Sequence, residues 1–403
     1  MNDMKIYLSE PGFICAAGNS SDAASFVNNL SSGIRNVSKV DCGIEGEGGK
    51  KSFYVGKIED SILKPVDDRF DMRLLRILDF ALNCLSETVE KAAAKYGRER
   101  IGVCIGSCDN GSELSFKAHK AFFEAGNFPC DYDLKAQGAD YPAVFTLHKF
   151  NLSGISLAFS TACSSSASAI IKASQLIRAG VCDAVIAGGV DVASDTVLLG
   201  FDSLEAVDHD LTNPFSKNRK GINLGEGAAV FLLSKDDLDN TGLILAGCGE
   251  SCDASHMTAP LEDGSGAFGA MKAALEDAEL APEDIDYINL HGTGTRLNDS
   301  MEARGISLLF DRVPVKLPLC SSTKPLTGHT LGAAGSLEAA VCFYALKTQR
   351  LPLHVWDGVY DEEFPELNFV KSSVQDRCIN VCMSNSFAFG GCNASLILKR
   401  ESR

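Results

Sequence analysis

The chain has 403 residues, 45% of them apolar and 22% charged, with a formal net charge of -16. That length predicts two halves or two related lobes, and the composition is that of a folded enzyme. The acidic balance excludes nucleic acid and anionic membranes as bulk partners. Fifteen cysteines occur without a secretory leader, since the opening MNDMKIYLSE is polar and reads as a strand. No apolar run reaches bilayer length, so no membrane insertion is expected and the cysteines are read as reduced thiols in a cytoplasmic protein.

Along the chain, short apolar runs bounded by glycine predict strands at 101–106, 155–160, 184–188, 228–233, 285–290, 379–383 and 395–399. Helical patterns cover 72–95, 165–179, 266–278, 298–309 and 333–349. Alternation of this kind predicts an α/β fold with helices on mostly parallel sheets. Two stretches share one plan. ISLAFS leads through TACSSS into a small-residue helix, and VKLPLCSST leads through KPLTGHTLG into another. The repetition predicts halves 1–240 and 241–403 meeting near residues 240–242, with the two helices packed centrally.

No metal is expected. Cys104/Cys108, Cys248/Cys252 and Cys378/Cys382 are spaced C-x3-C, and none joins a second pair at zinc-ribbon distance.

The chemistry concentrates at Cys163, in STACSSSASA. Most of fifteen cysteines are core fillers, but this one falls at a strand-to-helix turn. There the unpaired N–H groups and dipole of the helix stabilise a thiolate and can bind a thioester oxyanion. His291 opens HGTGT and His329 sits in KPLTGHTLGAAG, each in a glycine-rich loop behind an expected strand. One such histidine is commonly structural; two beside a thiol at strand ends mark a site. Lys324 precedes His329 by five positions and Glu338 follows on the next helix, a pair able to orient an imidazole or merely to lie on the surface.

The set STACSSS, HGTGTRLND, KPLTGHTLGAAG and NSFAFGG resembles the elongating β-ketoacyl-[acyl-carrier-protein] synthases of the thiolase-like superfamily, over nearly the whole chain. GINLGEGAAVFLL and DASHMTAP extend the resemblance. It implies a five-layered αβαβα fold with duplicated halves, assembled as a dimer. It implies that Cys163 accepts the acyl group, and that His291 and His329 promote malonyl decarboxylation and hold the enolate. Lys324, Glu338 and Asp299 become the supporting polar groups, Phe389 a gate, and residues 253–260 a second mobile loop. The backbone N–H groups of Cys163 and Phe389 become oxyanion donors. Thr293 and Thr295, with Gly390 and Gly391, would meet the substrate arm. No dissociable cofactor is implied, because phosphopantetheine arrives on the acyl carrier protein. That partner is acidic, which makes Arg69, Arg73, Lys217, Arg219 and Lys220 docking candidates, although solvated surface charge is the plainer reading of each.

NSFAFGG departs from the usual NSFGFGG at Ala388, where a Cβ narrows the accessible backbone angles. FDSLEAVD and NPFSKNRKGINLGEG are closer to ketosynthases of aryl-polyene pathways, which pair with a chain-length-factor subunit, so a heterodimer stands beside a homodimer. A thiolase would need a second cysteine in a CxG context, whereas Cys392 lies in GGCNAS. A carrier-independent starter synthase would use Cys-His-Asn. The remaining alternative is a non-catalytic partner that only shapes an acyl tunnel; such partners lack the cysteine.

Overall fold

Runs that are apolar at all but their last position make strands covered on both faces. AVIAGGVD and GAAVFLLS are buried along their whole length. Both lie in one large mixed sheet in the computed structural model, which describes residues 4–44, 49–109, 111–130, 132–311, 317–373 and 378–401. Met1 to Asp3 of the opening segment, and Val315 and Lys316 of the second expected strand, lie outside the described residues.

The first half supplies β1 (Tyr7–Leu8), β2 (Gly12–Cys15), β3 (Ile101–Gly106), β4 (Ser156–Phe159), β5 (Ala184–Asp191) and β6 (Gly227–Ser234). The second supplies β7 (Leu243–Cys252), β8 (Tyr287–Asn289), β9 (Leu319–Ser321), β10 (Val381–Phe387) and β11 (Cys392–Arg400). The order is β9-β8-β10-β11-β7-β1-β6-β5-β3-β4, with β2 beside β6. Two half-sheets are thus joined through the two residues of β1.

The expectation of mostly parallel sheets needs correction. β3 is parallel to β4 and β5, and β8 to β9 and β10, but the strands between β10 and β5 pair antiparallel. Strand β7 was not foreseen. No helix separates β10 from β11, and a connection that short can only return antiparallel, while β1 runs antiparallel to both of its neighbours, β6 and β7.

The helices that build the layers are α1 (Arg73–Cys84), α2 (Ser86–Tyr96), α3 (Tyr141–Lys149), α4 (Ser165–Arg178), α5 (Ser265–Ala278), α6 (Arg296–Phe310) and α7 (Ala334–Thr348). The single helix expected over 72–95 is two. The Leu85 N–H donates to Leu82 O at 3.0 Å, a tightened turn that redirects the chain. Helices α1 and α3 cover the outer face of the first half-sheet, α5 and α6 that of the second, and α4 and α7 fill the space between. These are the five layers of a thiolase-like fold.

The central helices touch each other, as their small residues predict. A Cβ on Gly335 would lie 2.7 Å from Ala167 Cβ, and the Ser336 N–H donates to Ser166 Oγ at 2.9 Å. Ile170, Leu337 and Val341 share one core around this contact. Close packing here fixes both helix starts, and the functional side chains sit just before them.

Candidate active site

Cys163 is held by its serines. After β4, Ala162 takes a left-handed φ of 49°, a cost of about 1 kcal/mol for a residue with a Cβ. The turn survives because Ser165 Oγ accepts the Thr161 N–H at 2.9 Å and donates to Ala162 O at 2.6 Å, while Ser164 Oγ donates to Thr161 O at 2.8 Å. A short 3-10 turn, Ala162–Ser164, then runs into α4 and leaves the sulfur facing a cavity of about 510 Å³.

Carboxylates of α6 shape the His291 loop. The N–H groups of His291 and Gly292 donate to Glu302 at 2.8 Å each, and that of Gly294 donates to Asp299 at 3.1 Å. Gly294 has a φ of 81°, and a Cβ there would strike Thr212 Oγ1, so this tight turn requires glycine. His329 enters from the segment before α7. Its Nε2 lies 3.2 Å from Cys163 Sγ, and its ring is 5.4 Å from that of His291. Lys324 Nζ donates to His291 O at 2.5 Å, lies 3.4 Å from His291 Nδ1, and is salt-bridged to Glu338. All five side chains are buried.

The partners fix the tautomers. The Leu331 N–H donates to His329 Nδ1 at 3.2 Å, and Lys324 Nζ donates to His291 Nδ1. Each neutral ring therefore carries its proton on Nε2. Both rings are neutral: burial, then the Lys324 charge, holds His291 and His329 well below the ordinary histidine range. Burial also pushes the Cys163 thiol up to about 11, with Lys324 pulling the other way. The resting sulfur is thus a thiol, a correction to the thiolate that the helix terminus alone led us to expect. Burial raises Glu338 to about 7, opposed by Lys324. Cys163, His291 and His329 offer ligand atoms within 4.8 Å of one another. Their tautomers nonetheless turn N–H groups, not lone pairs, toward the sulfur, so each imidazole becomes a ligand there only by breaking its own Nδ1 bond.

Thr293, Thr295, Phe389, Gly390 and Gly391 line the same cavity as the thiol and imidazoles. Phe389 directs its N–H at the Cys163 sulfur and sets its ring 6.1 Å from that of Phe201. Ala388 takes an ordinary negative φ, so its Cβ brings no backbone strain; the left-handed positions are Gly390 and Gly391. Asp299 lies beneath the His291 loop, accepting the N–H groups of Gly294 and of Phe215, the latter at 2.7 Å. It shapes the loop and does not face the cavity.

The basic residues separate. Arg69, Lys217 and Lys220 are exposed, and Lys220 reaches the cavity mouth while paired with Asp210 at 3.0 Å. Arg219 is buried, donating to Arg296 O and ion-paired with Asp361, so its docking assignment is withdrawn. Arg73 is likewise withdrawn, because Glu226, Asp60 and the Ile58 carbonyl occupy its guanidinium.

Three groups escaped sequence reasoning. Asp191, raised to about 7 by burial, accepts the N–H groups of Cys108, Asp109 and Gly332 beneath the nucleophile. Glu302, raised to about 8 by burial, shapes the His291 loop. Cys108 shares a smaller cavity with Cys163 and donates its thiol to Ala162 O at 3.0 Å. The one available signal was a carboxylate ending an otherwise apolar strand, AVIAGGVD.

A buried thiol facing two neutral imidazoles across a duplicated layered fold defines the thiolase-like class of enzymes. Comparison with known families narrows the class. Residues 11–238 match the beta-ketoacyl synthase N-terminal domain and residues 243–355 the beta-ketoacyl synthase C-terminal domain, and the chain belongs to this family. It is 36% identical over 325 residues to 3-oxoacyl-[acyl-carrier-protein] synthase 2 of Vibrio cholerae, spanning 75% of this chain and 76% of that one. Among solved structures, a ketosynthase in complex with its chain length factor from Xenorhabdus doucetiae superposes with a TM-score of 0.89 at 37% identity, over 98% of each chain. A beta-ketoacyl synthase from Burkholderia phymatum gives 0.85 at 26% identity, over 99% of this chain and 100% of that one.

Proposed function

We propose that the protein condenses an acyl group, held as a thioester on Cys163, with malonyl-acyl carrier protein to give a β-ketoacyl carrier, carbon dioxide and free carrier. The work divides between halves 1–240, with the nucleophile, and 241–403, with both histidines. In the first stage the thioester exchanges from the carrier to Cys163, and the carrier leaves with the thiol proton. In the second, the malonyl carboxylate departs as carbon dioxide and its electron pair forms an enolate, whose oxygen takes the Nε2–H groups of His291 and His329. The enolate carbon attacks the Cys163 thioester and breaks its C–S bond; the sulfur leaves as a thiolate toward His329 Nε2–H and the Phe389 N–H and takes one proton from solvent.

Lys324 holds the His291 tautomer and Glu338 balances its charge. Thr293 and Thr295 line the path of the phosphopantetheine arm, which the carrier brings, so no dissociable cofactor is required. Arg69, Lys217 and Lys220 are the cations left for carrier docking. The dimer partner is a second copy or a chain-length-factor-like subunit, and the pathway is specialised polyene or fatty acid elongation in the cytoplasm. The aromatic group of Phe116, Phe122, Phe123 and Phe128 supports an assembled form, since Phe123 is 82% exposed.

The observation that carries the reading is the 3.2 Å contact of a neutral, Nε2-protonated His329 with the Cys163 sulfur. Intact mass after incubation with acyl-carrier thioesters tests it. The expected result is one acyl adduct per chain, lost in Cys163→Ala. No adduct across a range of chain lengths would instead favour a non-catalytic partner.

A further inference from the structure

Two thiols that the condensing chemistry leaves idle face each other where the two segments of the cavity mouth meet the sheet. Cys252 ends β7, Cys392 begins β11, and the antiparallel register pairs them directly. Just beyond them the Asp253 N–H donates to Gly391 O at 2.9 Å, which makes Cys252 and Cys392 a non-hydrogen-bonded pair. Such pairs set their Cα atoms about 4.5 Å apart with both side chains on one face. That lies inside the roughly 4.4–6.8 Å span that a disulfide bridges. Cys252 is exposed and Cys392 half-buried, so a small oxidant reaches them. By contrast Cys342 and Cys382, also neighbours, are sealed in the core. Burial, then the adjoining Cys252 thiol, pushes Cys392 above the ordinary cysteine range. Cys252, the more exposed of the two, is the first thiol to react.

The pair also joins two segments of the cavity mouth. Residues 253–260 follow Cys252 and residues 388–391 precede Cys392; Thr258, Pro260, Phe389 and Gly391 line the cavity. The segments are already bonded to each other, Gly390 N–H to Met257 O at 2.7 Å and Asn393 Nδ2 to Asp253 at 2.7 Å.

We propose that Cys252 and Cys392 are a redox modification site, closing to a reversible disulfide that locks these two segments together and slows access to Cys163. Oxidised glutathione serves as the oxidant class. The Cys252 thiolate attacks one of its sulfurs and releases one glutathione thiol. The Cys392 thiolate then attacks the Cys252 sulfur and releases the second. Two cysteine thiols lose two protons and two electrons, and the small disulfide gains them. Bond formation stands on the register alone; its effect on turnover rests on the condensing role.

The test equilibrates the full-length protein, and separately its Cys163→Ala variant, in glutathione buffers of graded oxidation. Non-reducing peptide mass spectrometry and acyl-transfer rates are the readouts. A linked Cys252–Cys392 peptide is expected in both proteins, reversed by dithiothreitol and absent from Cys252→Ser and Cys392→Ser. Oxidised wild type should acylate about fivefold or more slower, with full recovery on reduction and no slowing in either serine variant. Glutathione adducts without the linked peptide would overturn the site, and a linked peptide at unchanged rate would overturn the lock. A linked peptide in a protein that never acylates, even reduced, would instead overturn the condensing reading and leave the disulfide standing.

Discussion

The turn that presents Cys163 is built a second time in the molecule, and there it is already filled. In each copy one residue with a Cβ adopts a left-handed backbone, Ala162 at φ 49° and Leu331 at φ 51°. Each opens a three-residue 3-10 turn, Ala162–Ser164 or Leu331–Ala333, that runs into α4 or α7. Cys163 then corresponds to Gly332. The Gly332 N–H donates to the Asp191 carboxylate at 2.5 Å, and Cys108 and Asp109 add two further N–H donors. At Cys163 the equivalent space is open cavity. A helix start of this kind attracts an anion in either half. The turn of the second half takes the Asp191 carboxylate of the first half and becomes structural, and the turn of the first half leaves the place to a sulfur and the acyl group it carries.

Breaking the filled copy should cost stability. Asp191→Ala strands three buried N–H groups and should lower the unfolding free energy by about 3 kcal/mol, with Asp191→Asn recovering roughly half, read from urea midpoints at constant slope. Gly332→Ala attacks the same contact from the other side, since its Cβ would lie 2.5 Å from an Asp191 carboxylate oxygen and 3.0 Å from Cys108 N. It should cost about 1–3 kcal/mol, and combined with Asp191→Ala less than the sum of the two.

A smaller effect tests the support beneath His291. The folded pKa of Glu302, about 8, stands above its unfolded value near 4.5. Its favourable contribution is therefore complete below about pH 4.5 and is lost as pH rises through about 8. Glu302→Gln removes that titration while keeping one acceptor. The melting-temperature gap between wild type and variant should narrow steadily from pH 5 to pH 8.5; a constant gap would show that Glu302 is charged throughout.

The sequence made the loops legible and left their supports hidden. Cys163, His291 and His329 announce themselves because each sits in a short stretch whose glycines and serines serve a turn. Lys324 and Glu338 were readable by proximity, being on either side of His329. Asp191 and Glu302 were not, because their partners are backbone N–H groups, which leave no trace in residue identity. Arg73 and Arg219 misled for the same kind of reason. Their carboxylate partners Glu226 and Asp361 lie 153 and 142 positions away, so clustered cations looked free. In the fold, β7 was overlooked, whereas the central packing of the two small-residue helices was legible, because their Gly335–Ala167 contact needed residues without bulk; the five layers came from the family resemblance.

The division of labour between one thiol and two protonated Nε2 atoms is tested most directly by measuring carbon dioxide release from malonyl-acyl carrier protein in His291→Ala and His329→Ala. Both variants should still form the Cys163 acyl adduct, within about tenfold of the wild-type rate, while decarboxylation falls about 10²–10³-fold, the usual loss when a single enolate-stabilising donor is removed. Decarboxylation at the wild-type rate in both variants would contradict the account.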